Sequence, residues 1–396
     1  MNRQAKKDVL LPAEKSERKK PYTTHDVKKE NRNRVFMYLY RGQGASRQSI
    51  VADLGLSLPT VNMDVQSLMK EGLITTKGNF ESTGGRRSQA LIANADAAYT
   101  VSAIIGANTI EMELINLLGE MVADKTVKKR FSPTIEYRNF LEKSVEDFVF
   151  ENKVKDKKYL GTGITLPAVF DATRENVVSA PTLKTKPFPV SVLTGDFKFK
   201  AEVMNDARSE AYAGFFVDDK KNQEHNDEVF LMIGTGVGGA YIRKDGVVAD
   251  GHFNRFGEFG HMTIHPGGKT CNCGRKGCLE AYTNASVLSD DLGLTLDEFF
   301  ASLDDGDEKN FRIFREYIKN LAIGINNIYT IFDQDVVIGG IVAPYLKKYE
   351  KAIRLEVASR YTFGEGPEFI RFLSCSPEQA KAGASLKYIR EYLDEI

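Results

Sequence analysis

The chain has 396 residues, 42% of them hydrophobic, so it can bury sizeable cores, and its length predicts two to four domains at roughly 100–200 residues each. The formal net charge is zero, but the first 96 residues hold 17 Lys and Arg against 10 Asp and Glu, which indicates an anionic partner or a solvated charged tail. With four cysteines, no apolar signal core and no apolar run of about 20 residues, we expect a cytoplasmic protein without a disulfide scaffold or a membrane span.

The N-terminal quarter of the chain separates into a basic arm and a small helical domain. Residues 1–28 are rich in lysine and lack a sustained hydrophobic period, so we predict a flexible basic arm. In residues 29–96, helical apolar spacing starts near Val35, and Ser46 and Ser57 are placed to cap two further helices. Two short strands around a basic turn follow. This order is typical of a winged helix-turn-helix DNA-binding domain.

Polar side chains on the third predicted helix, together with a basic wing, form the candidate DNA interface. Asn and Gln can pair with adenine in the major groove, and arginine can reach phosphates or a narrow minor groove. A three-helix module that contacts another protein is the alternative, but the caps and the basic wing favour operator DNA as the partner. The predicted DNA-binding residues are Ser57, Thr60, Asn62, Met63, Gln66, Arg86 and Arg87.

Alternating strand and helix patterns from Tyr99 onward predict an α/β body with two lobes and a cleft between them. We assign residues 97–208, joined by a C-terminal helix at 380–396, to the first lobe and residues 209–379 to the second lobe, which carries the cysteines. In the first lobe, the glycine turn at 106–108 joins two consecutive apolar strands.

The strongest chemical motif combines one histidine with three cysteines. His261, Cys271, Cys273 and Cys278 supply the four ligands of a closed tetrahedral zinc site, and their spacing lets one compact loop wrap the ion. Four protein ligands leave no open position, so the zinc is expected to be structural. Small buried cysteines beside an unrelated histidine are the less favoured alternative, and His265 is a rival fourth ligand that spacing alone does not exclude.

A glycine-rich segment follows the strand at 229–233. It formally fits the dinucleotide-binding glycine pattern, but a strand at 240–242 follows it where that motif needs a helix. A hairpin that bends around a phosphate and a merely tight hairpin both remain open. The candidate phosphate-loop residues are Gly234, Thr235, Gly236, Gly238 and Gly239.

Several polar residues are candidates for binding hydroxyl groups in the cleft. Asn205 and Asp206 follow a predicted strand, where they could hold sugar hydroxyls with Asp206 as a general base, although such a pair is more often a turn or a helix cap. Glu258 and Glu280 lie close to the zinc ligands in sequence, and carboxylates are natural acceptors of hydroxyl hydrogen bonds.

Taken together, these motifs resemble the ROK family of repressors, open reading frames and sugar kinases. The resemblance covers about residues 30–396 and rests on four segments, with the run 83–87 resembling the repressor branch that includes the xylose and N-acetylglucosamine repressors. The four segments are Asn205-Asp206-Ala207, Gly234–Gly239, Phe256-Gly257-Glu258-Phe259-Gly260-His261 and the cysteine loop through Glu280. The resemblance implies an actin-like, ribonuclease H-like sugar-kinase fold that follows the winged helix in the chain.

The resemblance also implies roles for individual residues. Asn205, Asp206, Glu258, His261 and Glu280 would contact a sugar, with one nitrogen of His261 on zinc and the other on the sugar. In the kinases of the family, the residue that matches Asp206 is the catalytic base.

Departures from the family pattern argue against phosphoryl transfer. The segment 104–109 lacks the aspartate and one glycine of the kinase phosphate loop, so ATP and magnesium are not expected as cofactors. Ala168 replaces the glycine of a Pro-Gly pair near the sugar, and Ser88 stands where repressors often have proline. The kinase-like turn at 337–340 is kept.

These observations favour a sugar-responsive transcriptional regulator of the repressor class. We expect it to be a homodimer or homotetramer and not an enzyme. An ATP-dependent sugar kinase with an attached DNA-binding domain is the alternative. A DNA-binding scaffold with a vestigial body is disfavoured because every implied sugar-contacting residue is present.

Overall fold

The computed structural model describes residues 24–42, 44–79, 89–154, 157–221, 226–360 and 366–396. These residues form an N-terminal head, which we define as residues 24–97, and a body with two lobes that are each built around a β-sheet. Among these residues, no helix combines the length and the apolar character needed to cross a bilayer.

The head contains three helices followed by two antiparallel strands, the order expected for a winged helix-turn-helix. Its elements are α1 (Thr24–Arg41), α2 (Arg47–Leu54), α3 (Leu58–Lys70), β1 (Ile74–Asn79) and β2 (Gln89–Ala93). Ser46 and Ser57 accept hydrogen bonds from backbone N–H groups in the first turns of α2 and α3, so both predicted caps are confirmed. Because α1 begins at Thr24, residues 24–28 are helical, and the predicted arm extended too far. Residues 26–28 are exposed, and the single apolar residue Val27 makes no hydrophobic period that could have revealed the helix.

The first lobe is a five-stranded sheet in the order β10-β6-β3-β4-β5, with a smaller three-stranded sheet beside it. The predicted hairpin around residues 106–108 is confirmed, since β3 and β4 pair antiparallel from Tyr99 to Ile105. Helix α4 contributes Tyr137, Leu141 and Val145 to the core on one face of the large sheet. The elements are β3 (Ala98–Ile105), β4 (Thr109–Asn116), β5 (Met121–Lys128), α4 (Ile135–Glu151), β6 (Lys158–Leu166), β7 (Val169–Phe170), β8 (Asn176–Ser179), β9 (Phe188–Pro189), α5 (Ser191–Thr194) and β10 (Ala201–Asn205).

The second lobe is a four-stranded mixed sheet in the order β12-β11-β13-β14, with its largest core beneath helix α9. Strand β11 pairs antiparallel with β12 and parallel with β13. Helix α6 (Asp206–Lys221) leads into this lobe. Its other elements are β11 (Glu228–Ile233), β12 (Val237–Ile242), α7 (Glu280–Thr283), α8 (Leu296–Asp304), α9 (Glu308–Phe332), β13 (Asp335–Gly339), α10 (Ala343–Lys347), α11 (Glu350–Ala358) and β14 (Ile370–Phe372).

Helix α6 lies between the lobes. It packs against β12 of the second lobe and against the last helix of the chain, which itself covers β6 and β3 of the first lobe. The chain ends with α12 (Pro377–Lys381) and α13 (Gly383–Glu395), so the predicted return of the C-terminal segment to the first lobe agrees with the packing. The predicted lobe boundary after residue 208 falls inside α6. Nearly every residue from Ala207 to Phe216 is buried, so this helix serves both lobes and marks no boundary.

The head is joined to the body by a continuous hydrophobic core. Val35, Phe36 and Leu39 of α1 belong to one buried cluster with Phe216 of α6 and Ile389 of α13. Only a single short 3₁₀ turn at Ala95–Ala97 separates the last strand of the head from β3. The head is therefore packed directly on the two helices that face the first lobe.

Candidate metal and ligand site

The glycine-rich segment is a tight β-hairpin between β11 and β12. The Gly234 N–H donates to the carbonyl of Gly236 across the turn, and Gly238 and Gly239 already belong to β12. A Cβ on Gly239 would lie 2.3 Å from the Phe230 carbonyl oxygen and 2.5 Å from the ring of Phe259, which leaves no room for a side chain. Close packing explains why position 239 is a glycine, and this agrees with the alternative that the segment is a tight hairpin.

The predicted metal ligands come together in one loop. The candidate donor atoms of His261, Cys271, Cys273 and Cys278 all lie within 4.8 Å of one another. The Sγ atoms of Cys273 and Cys278 are 3.7 Å apart, and Nδ1 of His261 is 3.8 Å from Sγ of Cys271. A tetrahedral ion with metal–sulfur bonds of about 2.3 Å needs sulfur–sulfur separations of about 3.8 Å. The four residues therefore fit a metal ion of that geometry.

Short backbone hydrogen bonds shape this metal-binding loop. Cys271 N–H donates to the carbonyl of Arg275 at 2.8 Å, and Gly274 N–H donates to the carbonyl of Cys271 at 2.9 Å. Gly277 has a φ of +83°, and a Cβ there would lie 1.7 Å from the His265 carbonyl oxygen. Glycine is required at this position by both conformation and space.

His265 is not part of the cluster. Its Nε2 lies 2.6 Å from Oδ1 of Asn320, and its ring packs edge-on against Tyr282. The structure thus resolves the choice of histidine that spacing left open, because the turn at 266–268 directs His265 toward α9 and leaves His261 beside the thiols.

The second nitrogen of His261 faces a carboxylate. Its Nε2 lies 3.8 Å from Oε2 of Glu258, while Nδ1 faces the thiols. The backbone between these residues is held against the hairpin, since a Cβ on Gly260 would lie only 2.0 Å from the carbonyl oxygen of Val237. Burial raises the pKa of Glu258, whereas charge interactions with the nearby His261 and Arg208 lower it. The hairpin thus positions Glu258 and His261 together.

Glu280 is buried beside the cluster and has a structural role. One carboxylate oxygen accepts a hydrogen bond from the N–H of Val237 at 3.0 Å, and the other lies 3.5 Å from Sγ of Cys271. The same carboxylate occupies the space next to Gly236. It therefore connects the metal-binding loop to the hairpin turn.

Asn205 and Asp206 lie where β10 ends and α6 begins. Oδ1 of Asn205 accepts a hydrogen bond from the N–H of Arg208, so this residue does cap the helix, while its Nδ2 donates to Asp206 and to the carbonyl of Ala168. Burial is the main cause that raises the pKa of Asp206 to about 6, and the charge of Glu258 contributes to the same rise. The carboxylates of Asp206 and Glu258 therefore lie near enough for their charges to interact.

Arg208 is a site residue that the sequence did not reveal. It is 7% exposed and donates to Oδ1 of Asp250 at 2.8 Å and to Oδ1 of Asn254 at 2.6 Å. Asp250 also pairs with Arg174, which reaches it from the turn between β7 and β8. The available sequence signal was an arginine directly after Asn-Asp-Ala.

The departure at Ala168 and the kept turn at 337–340 both have a structural explanation. Ala168 is buried within the core of the first lobe, so its methyl group packs there. At the end of β13, the N–H of Gly340 donates to Oε1 of Glu210 at 2.6 Å, so a carboxylate occupies this turn. Burial raises the pKa of Glu210 to about 7.

The predicted DNA-binding face of α3 points away from the core of the head. Val61, Val65 and Leu68 are buried, whereas Met63 is 48% exposed and Gln66 is also exposed. Asn62 and Thr60 are partly exposed, and the Ser57 hydroxyl caps the helix and lies 2.8 Å from that of Thr60. Arg86 and Arg87 of the predicted wing lie outside the described residues.

Comparisons with known proteins agree with this architecture. The model of the ROK family matches residues 100–384. The xylose repressor of Bacillus subtilis (strain 168) is 26% identical over 383 residues, which cover 93% of this chain and 97% of that protein. A solved structure described as a ROK family transcriptional regulator, homolog of E. coli MLC protein, superimposes with a TM-score of 0.70 at 20% identity, covering 93% of this chain and 96% of that one. The ROK hexokinase from Thermus thermophilus has a TM-score of 0.61 at 26% identity and covers 75% of this chain and 99% of its own.

The fold and the site define a winged helix-turn-helix joined to an actin-like body with two lobes and a histidine–cysteine cluster that could hold a metal ion. The chain belongs to the ROK family.

Proposed function

We propose that this protein is a sugar-responsive transcriptional repressor that acts in the cytoplasm. The observation that carries the proposal is the position of the head, which presents the polar face of α3 outward and packs through α1 on α6, the helix that begins at the candidate ligand site. A DNA-reading surface and a polar cleft are thus joined in one packed unit. The xylose repressor of Bacillus subtilis aligns with this chain over 97% of its own length, so the head and the body are both within the matched region.

The ligand proposed for the cleft is a sugar or a sugar derivative. Asn205, Asp206, Glu258, His261 and Glu280 supply amide, carboxylate and imidazole groups, which suit the hydroxyls of a sugar. One carboxylate oxygen of Glu280 already accepts the N–H of Val237, so its proposed role is to hold the site in shape. Asp206 and Glu258 are the groups proposed to contact the sugar directly.

The metal proposed for the loop is zinc, held by His261, Cys271, Cys273 and Cys278. Three thiolates and one imidazole are the donor set of a closed structural zinc site, which leaves no position for catalysis. When bound, zinc would fix the orientation of the His261 ring. The Nε2 atom of that ring then remains available to face the cleft beside Glu258.

We propose that the protein does not transfer phosphate. The segment at 104–109 is a β-turn closed by a hydrogen bond from the Gly106 N–H to Thr109 O, and it carries no carboxylate to organise magnesium. Two backbone N–H groups in the glycine-rich regions are already used, since Val237 donates to Glu280 and Gly340 donates to Glu210. Carboxylates at these places repel the phosphates of a nucleotide.

A sugar kinase remains the second candidate because a ROK hexokinase shares the fold and Asp206 stands at the position of the family's base. The distinguishing assay is sugar-dependent ADP release with ATP, magnesium and a panel of hexoses, pentoses and amino sugars. We expect no turnover above background. Robust turnover that Asp206→Asn abolishes would establish the kinase instead.

The proposed repressor function is tested with Glu258→Gln. Operator binding is measured on a duplex selected from a random library by the wild-type protein, with and without D-xylose and N-acetyl-D-glucosamine. We propose a homodimer with two heads on two half-sites, so a small rotation of the heads prevents simultaneous docking. Glu258→Gln should keep operator affinity and lose sugar binding by calorimetry, whereas Glu316→Gln, on an exposed part of α9, should behave as the wild type. If Glu258→Gln responds normally to a sugar that releases the wild type, the cleft is not the effector site.

A further inference from the structure

Helix α6 runs from the candidate ligand site to the head. Its first turn holds Asp206 and Arg208, which face the polar cleft and the 250–254 loop. Its last turns hold Asp219 and Lys220, which contact the head. Thirteen residues of α-helix separate Asp206 from Asp219, a distance of about 20 Å along the helix axis. One uninterrupted helix therefore spans both functional regions.

Asp219 is shared between the head and the body. Its Oδ2 atom lies 2.6 Å from Nη1 of Arg390 on α13 and 3.5 Å from Nη2 of Arg41 at the end of α1. Next to it, the ammonium group of Lys220 lies 5.3 Å from the ring centroid of Tyr40 and donates to the carbonyl of Leu118 at 2.9 Å. Asp219 therefore bridges α13 of the body and α1 of the head.

Two further hydrogen bonds join α1 of the head to α13 and the C-terminus. Arg32 of α1 donates to the Ile396 carbonyl at 3.0 Å and pairs with Glu71, which follows the DNA-reading helix α3. Asn33 donates to the Leu393 carbonyl at 3.3 Å. The orientation of α3 is thus tied through α1 to the relative placement of α6 and α13.

We propose that α6 transmits the state of the ligand site to the head and that Asp219 is the positioning residue through which it does so. This inference rests on the proposed function, since it assigns the regulation of the same effector site. A ligand that contacts Asp206 and Glu258 binds more tightly to one arrangement of the two lobes than to the other. Because α6 packs on both lobes, its position changes with that arrangement. Through the contacts of Asp219, a shift of α6 then changes the angle of the head relative to the body.

A neighbouring residue provides a matched control. Asp218 is on the same turn of α6 and its side chain is 18% exposed, as is that of Asp219. It pairs with Arg371 at 2.9 Å and accepts a hydrogen bond from Ser374, both near β14 of the second lobe. Asp218→Asn removes the same charge from the same helix end without touching the head.

The experiment compares Asp219→Asn, Asp218→Asn and the wild-type full-length protein. Three quantities are measured: the affinity for the selected duplex without sugar, the affinity for whichever of D-xylose and N-acetyl-D-glucosamine binds the wild type, and the fold-change in duplex affinity that this sugar causes. For Asp219→Asn we expect both affinities within about threefold of the wild type and a fold-change reduced at least fivefold. Asp218→Asn should keep the full response.

The outcomes separate this inference from the function on which it rests. If neither sugar binds the wild-type protein or releases it from the selected duplex, the proposed effector function is contradicted before any variant is considered. If the wild type responds and Asp219→Asn responds equally, or if Asp218→Asn loses the response to the same extent, the assignment of Asp219 is overturned. Arg41→Gln removes the partner on the head, so it should reproduce the loss seen with Asp219→Asn, and an unchanged response in Arg41→Gln also overturns it.

Discussion

Replacement of Gly260 by Ala tests how the β11–β12 hairpin positions the metal ligands. The new Cβ would lie 2.0 Å from the Val237 carbonyl oxygen, whereas carbon and oxygen atoms that are not bonded pack at about 3.3 Å. The segment that carries Glu258 and His261 must therefore move by roughly 1 Å. Metal ligands tolerate deviations of about 0.2 Å, so His261 would leave the coordination position.

Two consequences follow for Gly260→Ala. The affinity for zinc should fall by at least about 10–100-fold, the loss seen when groups that orient metal ligands are removed. Overpacking of this kind also lowers the free energy of unfolding by about 1–3 kcal/mol. Because the head lies in a different part of the fold, binding to the selected duplex should be retained once the protein is folded.

The assay is zinc content per chain after dialysis, followed by competition with a chromophoric chelator. Gly234→Ala is the matched control in the same hairpin, since a Cβ there meets nothing closer than 3.7 Å. The reasoning is refuted if Gly260→Ala retains zinc with the same affinity as Gly234→Ala.

Three further predictions concern the metal loop, the head and the first lobe. Cys273→Ser should reduce zinc from about one ion per chain to substoichiometric levels, measured by elemental analysis, and full retention would contradict the ligand assignment. Gln66→Ala should lower the preference for the selected duplex over a scrambled one by about 1–3 kcal/mol in competition binding, and an unchanged preference would show that Gln66 reads no base. Burial raises the pKa of Glu113 from 4.5 to about 7, so its contribution to stability is present below pH 4.5 and lost as the pH rises through about 7. Glu113→Gln should therefore gain about 1–3 kcal/mol of stability relative to the wild type between pH 6 and pH 8 in denaturant unfolding, and a constant difference would rule out ionisation of Glu113 as the cause.

The metal loop and the head could be predicted from the sequence because their determinants are local. The four candidate metal ligands lie within 18 residues, so their spacing alone limits them to one compact loop. Serine caps and a short apolar period likewise define α2 and α3 through hydrogen bonds within one helical turn. The first turn of α1 was missed because residues 24–34 hold a single apolar residue, Val27, which leaves no periodic signal.

The tertiary structure decided the contacts between distant parts of the chain. Asp206 and Glu258 influence each other across 52 positions, and Arg41 meets Asp219 across 178, because sheet order and the burial of α6 between two lobes bring them together. The choice of His261 over His265 and the need for glycine at 239 and 260 also depend on which backbone atoms lie nearby in space. The local hydrophobic period records which side of a helix or strand is buried, but not which remote element buries it. Packing around α6 therefore brought the charges of the two carboxylates near each other and set the head on the same helix.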